Sequence, residues 1–344
     1  MIMQGNGRPQ PDLFAAIGNT PLIRLTNLSR ALGRTILAKA EFLNPGGSVK
    51  DRAAKFIIED AEARGTLQPG GVLVEGTAGN TGIALALLGN ARGYKSIIVS
   101  PDDQSQEKID LLKTFGADVR IVPAVAFSDE KNYYHIARGI AQSTPNAIFC
   151  DQFNNTANYL GHARTTGPEI WHDCGGELSA FVAACGTGGT FSGVSRSLKE
   201  RNPQIRTVVA DPMGSSLYSY VKCGTLEFSG DSVAEGIGIK RVTDNFRASL
   251  ADDAVQVDDR TMVEMAHYLL REEGLFVGGS AALNVVAAAR IAAALPERST
   301  VVTILCDGGG RYLSRLFNAA WLAENGLTPQ HRDLGFLQMS HGKT

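Results

Sequence analysis

Short β-branched runs alternate with Ala-rich segments of helical length, a pattern that predicts an α/β chain whose mostly parallel sheets are covered by helices. Two further observations agree. The 344 residues suffice for two lobes and a sizeable core. Three glycine-rich segments fall at strand-to-helix junctions, where parallel sheets bind ligands.

In chain order, strands are expected over 35–40, 72–74, 96–99, 118–121, 181–185, 207–210 and 301–305. Helices are expected over 49–64, 81–91, 104–115, 132–142, 190–201, 261–273 and 281–295. The turn residues Pro45, Gly46 and Gly47 precede the first of these helices. Ser48, with Asp51 three residues on, reads as its capping box, and Gly65 as its stop. Residues 331–344 form a polar tail.

Composition narrows the function. Hydrophobic residues make up 44% and charged residues 20%, so the chain is globular rather than disordered. A net charge of -2 offers no footprint for nucleic acid or an anionic membrane. No run reaches the roughly 18 apolar residues of a membrane span, and the first residues lack the basic-then-apolar order of a secretory signal. The cysteines, Cys150, Cys174, Cys185, Cys223 and Cys306, form no CxxC pair, so neither a zinc site nor a disulfide framework is expected and a reducing cytoplasm is. His135, His162, His172 and His267 lack metal-ligand spacing and read as structural or surface residues, and Trp171 and Trp321 as packing residues.

Three loops and one lysine carry the chemistry. Lys50 lies in the first turn of the first expected helix, where the positive end of the dipole disfavours an ammonium. A free amine there suits Schiff-base chemistry; taken alone, Lys50 reads as readily as a solvated lysine. Residues 75–82 follow a strand and open an apolar helix, so their N–H groups, with Thr77, Asn80 and Thr81, suit a carboxylate or phosphate. Gly186, Thr187, Gly188, Gly189 and Thr190 form a second anion loop. It is neither a Walker loop nor GxGxxG, although Asp211 after the next strand keeps a dinucleotide reading open. Anion loops together with an activated lysine point to a cofactor with both a phosphate and an aldehyde, pyridoxal 5'-phosphate.

Residues 44–52, 77–82, 152–155, 186–190 and 235–238, with Gly18-Asn19-Thr20-Pro21-Leu22, resemble the cysteine synthase/cystathionine β-synthase family over about residues 17–317. The resemblance implies a two-lobed fold type II pyridoxal-phosphate enzyme, similar to the tryptophan synthase β chain. Residues 1–21 and 44–155 would form the N-terminal lobe, and 22–43 and 156–330 the C-terminal lobe. It implies that Lys50 holds the cofactor and acts as catalytic base, that Asn80 bonds the ring hydroxyl, and that residues 186–190 bind its phosphate. Thr77, Ala78, Gly79, Thr81 and Gln152 would receive the substrate carboxylate, with Gly236 and Gly238 lining the cleft. The implied reaction is β-replacement, O-acetylserine and sulfide giving cysteine and acetate. The implied partners are the amino acid, sulfide or a thiol, a second copy of the chain, and the tail of a serine acetyltransferase.

The sequence departs from the family pattern at several positions. Ala78 stands where a Ser is usual. Gly308 stands where a Ser or Thr usually meets the pyridine nitrogen, leaving Asp307 or a water for that role. Lys240 and Arg241 replace a small, apolar continuation, and read either as surface charges or as contacts to an anionic substrate. Cysteine desulfhydrase or cystathionine β-synthase chemistry, a nicotinamide-dependent oxidoreductase and a non-catalytic amino-acid-binding regulator remain the alternatives.

Overall fold

The computed structural model describes residues 12–77 and 79–337; Ala78 and the end of the polar tail lie outside the described residues. Ten strands form two sheets: β1 (Leu22–Arg24), β2 (Thr35–Ala40), β3 (Val72–Gly76), β4 (Lys95–Pro101), β5 (Asp118–Val122), β6 (Ala147–Phe149), β7 (Ala180–Ala184), β8 (Arg206–Pro212), β9 (Asp253–Val257) and β10 (Thr300–Leu305). The larger sheet has the order β1-β2-β10-β7-β8-β9 and the smaller β5-β4-β3-β6. Every pair is parallel except β1 with β2.

All seven expected strands are present, and the seven expected helices form within about two residues of their predicted ends. The three unexpected strands, β1, β6 and β9, are all sheet edges. Two of them, β1 and β6, have only three residues, too short for a periodic signal, and β9 mixes polar with apolar residues. The first of the expected helices spans Lys50–Ala63, and its start departs from the expected capping box. Ser48 Oγ accepts from the Lys50 N–H at 3.2 Å, and the Asp51 carboxylate accepts from Gly46 instead of turning back to Ser48.

Helices Ala157–Arg164 and Thr166–Asp173 were not predicted, because Gly161, Gly167 and Pro168 weaken helix propensity. Packing explains the two glycines. A Cβ on Gly161 would sit 2.1 Å from the Phe56 ring, and one on Gly167 2.4 Å from Ser197. The first of these helices therefore lies tightly against Lys50–Ala63 on one side and Gly189–Arg201 on the other. Helix Gly279–Ala293 is buried along most of its length between the larger sheet and helix Asp259–Glu272, which explains its alanine-rich sequence.

A buried ionic cluster joins these parts. Arg52 is 1% exposed and Glu41 is fully buried. Arg52 Nε and Nη2 donate to Glu41 at 2.8 Å, and Nη1 and Nη2 to Glu169 at 2.7 Å. Lys39 Nζ reaches Glu169 and Asp173 at 3.0 Å and donates to the Thr20 carbonyl at 2.6 Å. Burial opposes ionisation of Glu169, but Arg52, aided by Lys39, holds its pKa down at about 2. Two other carboxyls have no cation in direct contact, although Arg311 and Arg52 lie near enough to Asp51 to favour its charge. Burial pushes Asp51 up to about 7 and Glu75 up to about 8, although each accepts a backbone N–H, from Gly46 and Gln152 respectively.

Replacing Arg52 with Leu strands the Glu41 charge, and is expected to cost about 3–5 kcal/mol, read as a lower urea midpoint at unchanged slope. Glu75 keeps its proton in the fold up to about pH 8, while the unfolded chain releases it near 4.5. Its stabilisation is thus complete below pH 4.5 and is lost as pH rises towards 8. Glu75→Gln is expected to flatten that part of a urea-midpoint profile, and an unchanged slope would contradict it.

Candidate active site

A cleft of about 540 Å³ opens at the carboxyl ends of the parallel strands. Its wall takes residues 77 and 79–81 from the loop after β3, 186–188 and 190 from the loop after β7, and 212–215 from the end of β8 and beyond. Lys50 enters it from the first turn of its helix. Among the described residues, Lys50 Nζ has neither a hydrogen-bond acceptor nor an ion-pair partner, so its amine faces the cleft uncommitted.

The loop after β3 is held from below. Thr77 Oγ1 accepts from the Gly79 N–H at 3.3 Å, and Thr81 Oγ1 donates to Gln152 Oε1 at 2.5 Å. With that oxygen engaged, Gln152 has its NH2 end left for a ligand, which suits a carboxylate. Asn80 donates to Asp307 Oδ2 at 2.7 Å, and its carbonyl accepts from Arg311. Its orientation is thereby set and one amide hydrogen remains.

The loop after β7 is a cradle built from close approaches. A Cβ on Gly186 would lie 2.4 Å from the Gly236 carbonyl, and one on Gly189 2.1 Å from Asn158. Gly188 adopts φ +85, and a side chain there would also meet Phe246. The Thr187 hydroxyl accepts from Asn158 Nδ2 at 3.1 Å and from the Gly189 N–H at 3.3 Å. With both lone pairs used, its proton is free to be donated into the cleft. Helix Gly189–Arg201 starts here and adds its N-terminal dipole, so the cradle fits a phosphate.

His162, read from sequence as a structural or surface residue, is buried beneath this loop. Its Nε2 is 3.2 Å from Thr190 Oγ1 and its Nδ1 2.8 Å from Thr166 Oγ1. Burial, reinforced by the Arg52 charge, lowers its pKa to about 3, so the ring is neutral and one nitrogen donates while the other accepts. The signal available in the sequence was its spacing from Asn158, four residues apart on one helix face.

Gly236 and Gly238 line the cleft with φ of +76 and +80, conformations that favour glycine. Among the described residues, Gly189 and Gly308 are the predicted site residues that the structure leaves out of the wall. Gly189 is buried against Asn158. Backbone bridges of Asp307 to Ser48 and of Gly308 to Val277 fix that segment so that Cys306, not Gly308, faces the cleft. Asp307 is not in the wall either: it is fully buried, and its Oδ2 accepts from Asn80 and from Tyr312 at 2.6 Å. Ser280 and Asn284 join Cys306 on that side, and the loop reading did not identify them.

A further ion pair joins two segments of the wall. Lys108, on helix Gln106–Thr114, pairs with Glu235 and lies over the Tyr312 ring at 4.7 Å. Arg315 reaches the other Glu235 oxygen at 3.2 Å. Among the described residues, no group of three or more His, Cys, Asp or Glu is placed to hold a metal ion, and no helix is long and apolar enough to cross a membrane.

Residues 13–307 match the family of pyridoxal-phosphate dependent enzymes. The chain is 53% identical over 327 residues to cysteine synthase 1 of Emericella nidulans, covering 93% of this chain and 88% of that protein. The crystal structure of an O-acetylserine dependent cystathionine beta-synthase from Helicobacter pylori superposes with a TM-score of 0.81 at 36% identity, covering 90% of this chain and 98% of that one. The crystal structure of O-ureido-L-serine synthase gives 0.83 at 35% identity, covering 92% and 100%. The expected fold class and cofactor are thereby confirmed, and the chain belongs to the pyridoxal-phosphate dependent enzymes of the cysteine synthase and cystathionine β-synthase type.

Proposed function

We propose that this cleft carries out β-replacement on a β-substituted alanine, with O-acetylserine and sulfide giving cysteine and acetate. One observation carries the reading: an uncommitted lysine amine shares a cleft with a phosphate cradle and a separate carboxylate-type loop. When bound, pyridoxal 5'-phosphate supplies an electron-withdrawing ring that stabilises negative charge at the substrate α-carbon.

Lys50 is the residue that holds the cofactor aldehyde. With substrate and cofactor in the cleft, its Nζ would be the base that takes the α-proton. Gly186, Thr187, Gly188 and Thr190 hold the phosphate through N–H groups and hydroxyls, with Gly189 fixing the loop from behind. Asn80, oriented by Asp307 and Arg311, offers its remaining amide hydrogen to the ring hydroxyl. Thr77, Gly79, Thr81 and the Gln152 NH2 take the α-carboxylate, and Gly236 and Gly238 leave room beside the β-carbon. An amino-acid thiol in place of sulfide is the second reading, supported by the likeness to the cystathionine beta-synthase structure. From the family resemblance we also infer a cytoplasmic homodimer, with a serine acetyltransferase tail as an occupant of the cleft.

Lys50→Ala is expected to remove an absorbance band near about 410 nm from the purified protein. Sulfide-dependent cysteine formation should fall by about a hundred- to ten-thousand-fold; a variant that keeps both would end the reading. Asn158→Ala and His162→Leu should each weaken cofactor retention about fivefold to tenfold, the worth of one hydrogen bond, as measured by equilibrium dialysis. His162→Gln, which keeps a donor, should recover part of the loss.

A further inference from the structure

Arg241 lines the same cleft as Lys50 and Gln152. Its guanidinium carbon lies 4.2 Å from the centroid of the Phe127 ring, 4.8 Å from that of Phe153 and 5.5 Å from that of Tyr134. The rings hold the cation by its faces and leave its N–H edge free. Among the described residues, no acceptor takes those N–H groups and no carboxylate lies within 4.0 Å of them. Of the two nearby acids, Asp151 is already bonded to Tyr134 and Asn154, and Asp244 pairs with Arg247 at 3.4 Å. The half-buried cation thus has no carboxylate in direct contact, and its open N–H edge suits one carried by a ligand. Phe153 directly follows Gln152, which places this charge beside the residue assigned to the α-carboxylate.

We propose that Arg241 is the receptor for a second carboxylate, distinct from the α-carboxylate and carried either by the sulfur nucleophile or by the departing acyl group. The proposal rests on the β-replacement reading. In that reaction the thiol loses its proton, the sulfur–Cβ bond forms, the Cβ–O bond breaks and the acyl group leaves as a carboxylate. A planar guanidinium edge suits a carboxylate in two-point contact.

The test uses the holoenzyme and two matched pairs of probes. With O-acetyl-L-serine as donor, mercaptoacetate is compared with 2-mercaptoethanol. With sulfide as nucleophile, O-succinyl-L-serine is compared with O-butyryl-L-serine. The readout is the ratio of kcat/KM between the charged and neutral members, in which a general structural defect cancels. In one pair the wild type should favour the charged member, and Arg241→Met should lower the ratio about tenfold or more, through KM. Arg241→Lys, with charge but no planar fork, should recover only part. A response in the thiol pair makes the nucleophile the source, and one in the ester pair the leaving group. Ratios unchanged by the variant in both pairs, or a wild type that favours the neutral member in both, overturn the subsite. A wild type that makes no cysteine from O-acetylserine and sulfide sinks the β-replacement reading instead. Calorimetric titration of mercaptoacetate into the wild-type and Arg241→Met holoenzymes then still decides the role of Arg241, since equal affinities exclude it.

Discussion

The charge on Arg52 is the constraint from which the rest of the structure follows. It sits two residues after Lys50, fully within the protein, and is tolerated because two carboxylates meet it edge to edge. Those carboxylates come from residue 41, just beyond β2, and from helix Thr166–Asp173. The start of the lysine-bearing helix is therefore fixed in position and rotation by partners remote in sequence. Gly18 shows how closely the cluster is fitted: it adopts φ +97, and a Cβ there would lie 2.9 Å from Arg52.

The short helix Ala157–Arg164 passes this order on. One side packs against the helix that starts at Lys50, with Gly161 against Phe56. On the other, Asn158 and His162 engage Thr187 and Thr190. The spacing between the lysine and the glycine loop at 186–190 is thus set by packed side chains, without relying on the loops' own stiffness. Pre-organisation of this kind reduces the ordering cost when a ligand arrives.

Much of this was legible in the sequence, and the exceptions have physical reasons. The longer central strands carry β-branched apolar stretches that a sequence shows plainly, whereas the edge strands β1 and β6 have only three residues and β9 is interrupted by polar ones. Gly161 and Gly167 look like helix breakers until the neighbours that exclude a Cβ are known. The glycine loops and Lys50, which meet at the cleft, stood out in the sequence because their patterns are local. The position of Cys306 rather than Gly308 in the wall depends on two isolated backbone bridges to distant residues, which no local pattern encodes. His162 and Arg241 likewise acquire meaning only from partners that folding brings to them.

The pair formed by Lys108 and Glu235 has a consequence for the cleft wall. It is nearly dry, with side chains 4% and 11% exposed, and it joins helix Gln106–Thr114 to the segment that carries Gly236. Parting the two would separate opposite charges before water had fully surrounded either of them. The hydration of two side chains therefore weighs in how firmly that stretch of wall is held together.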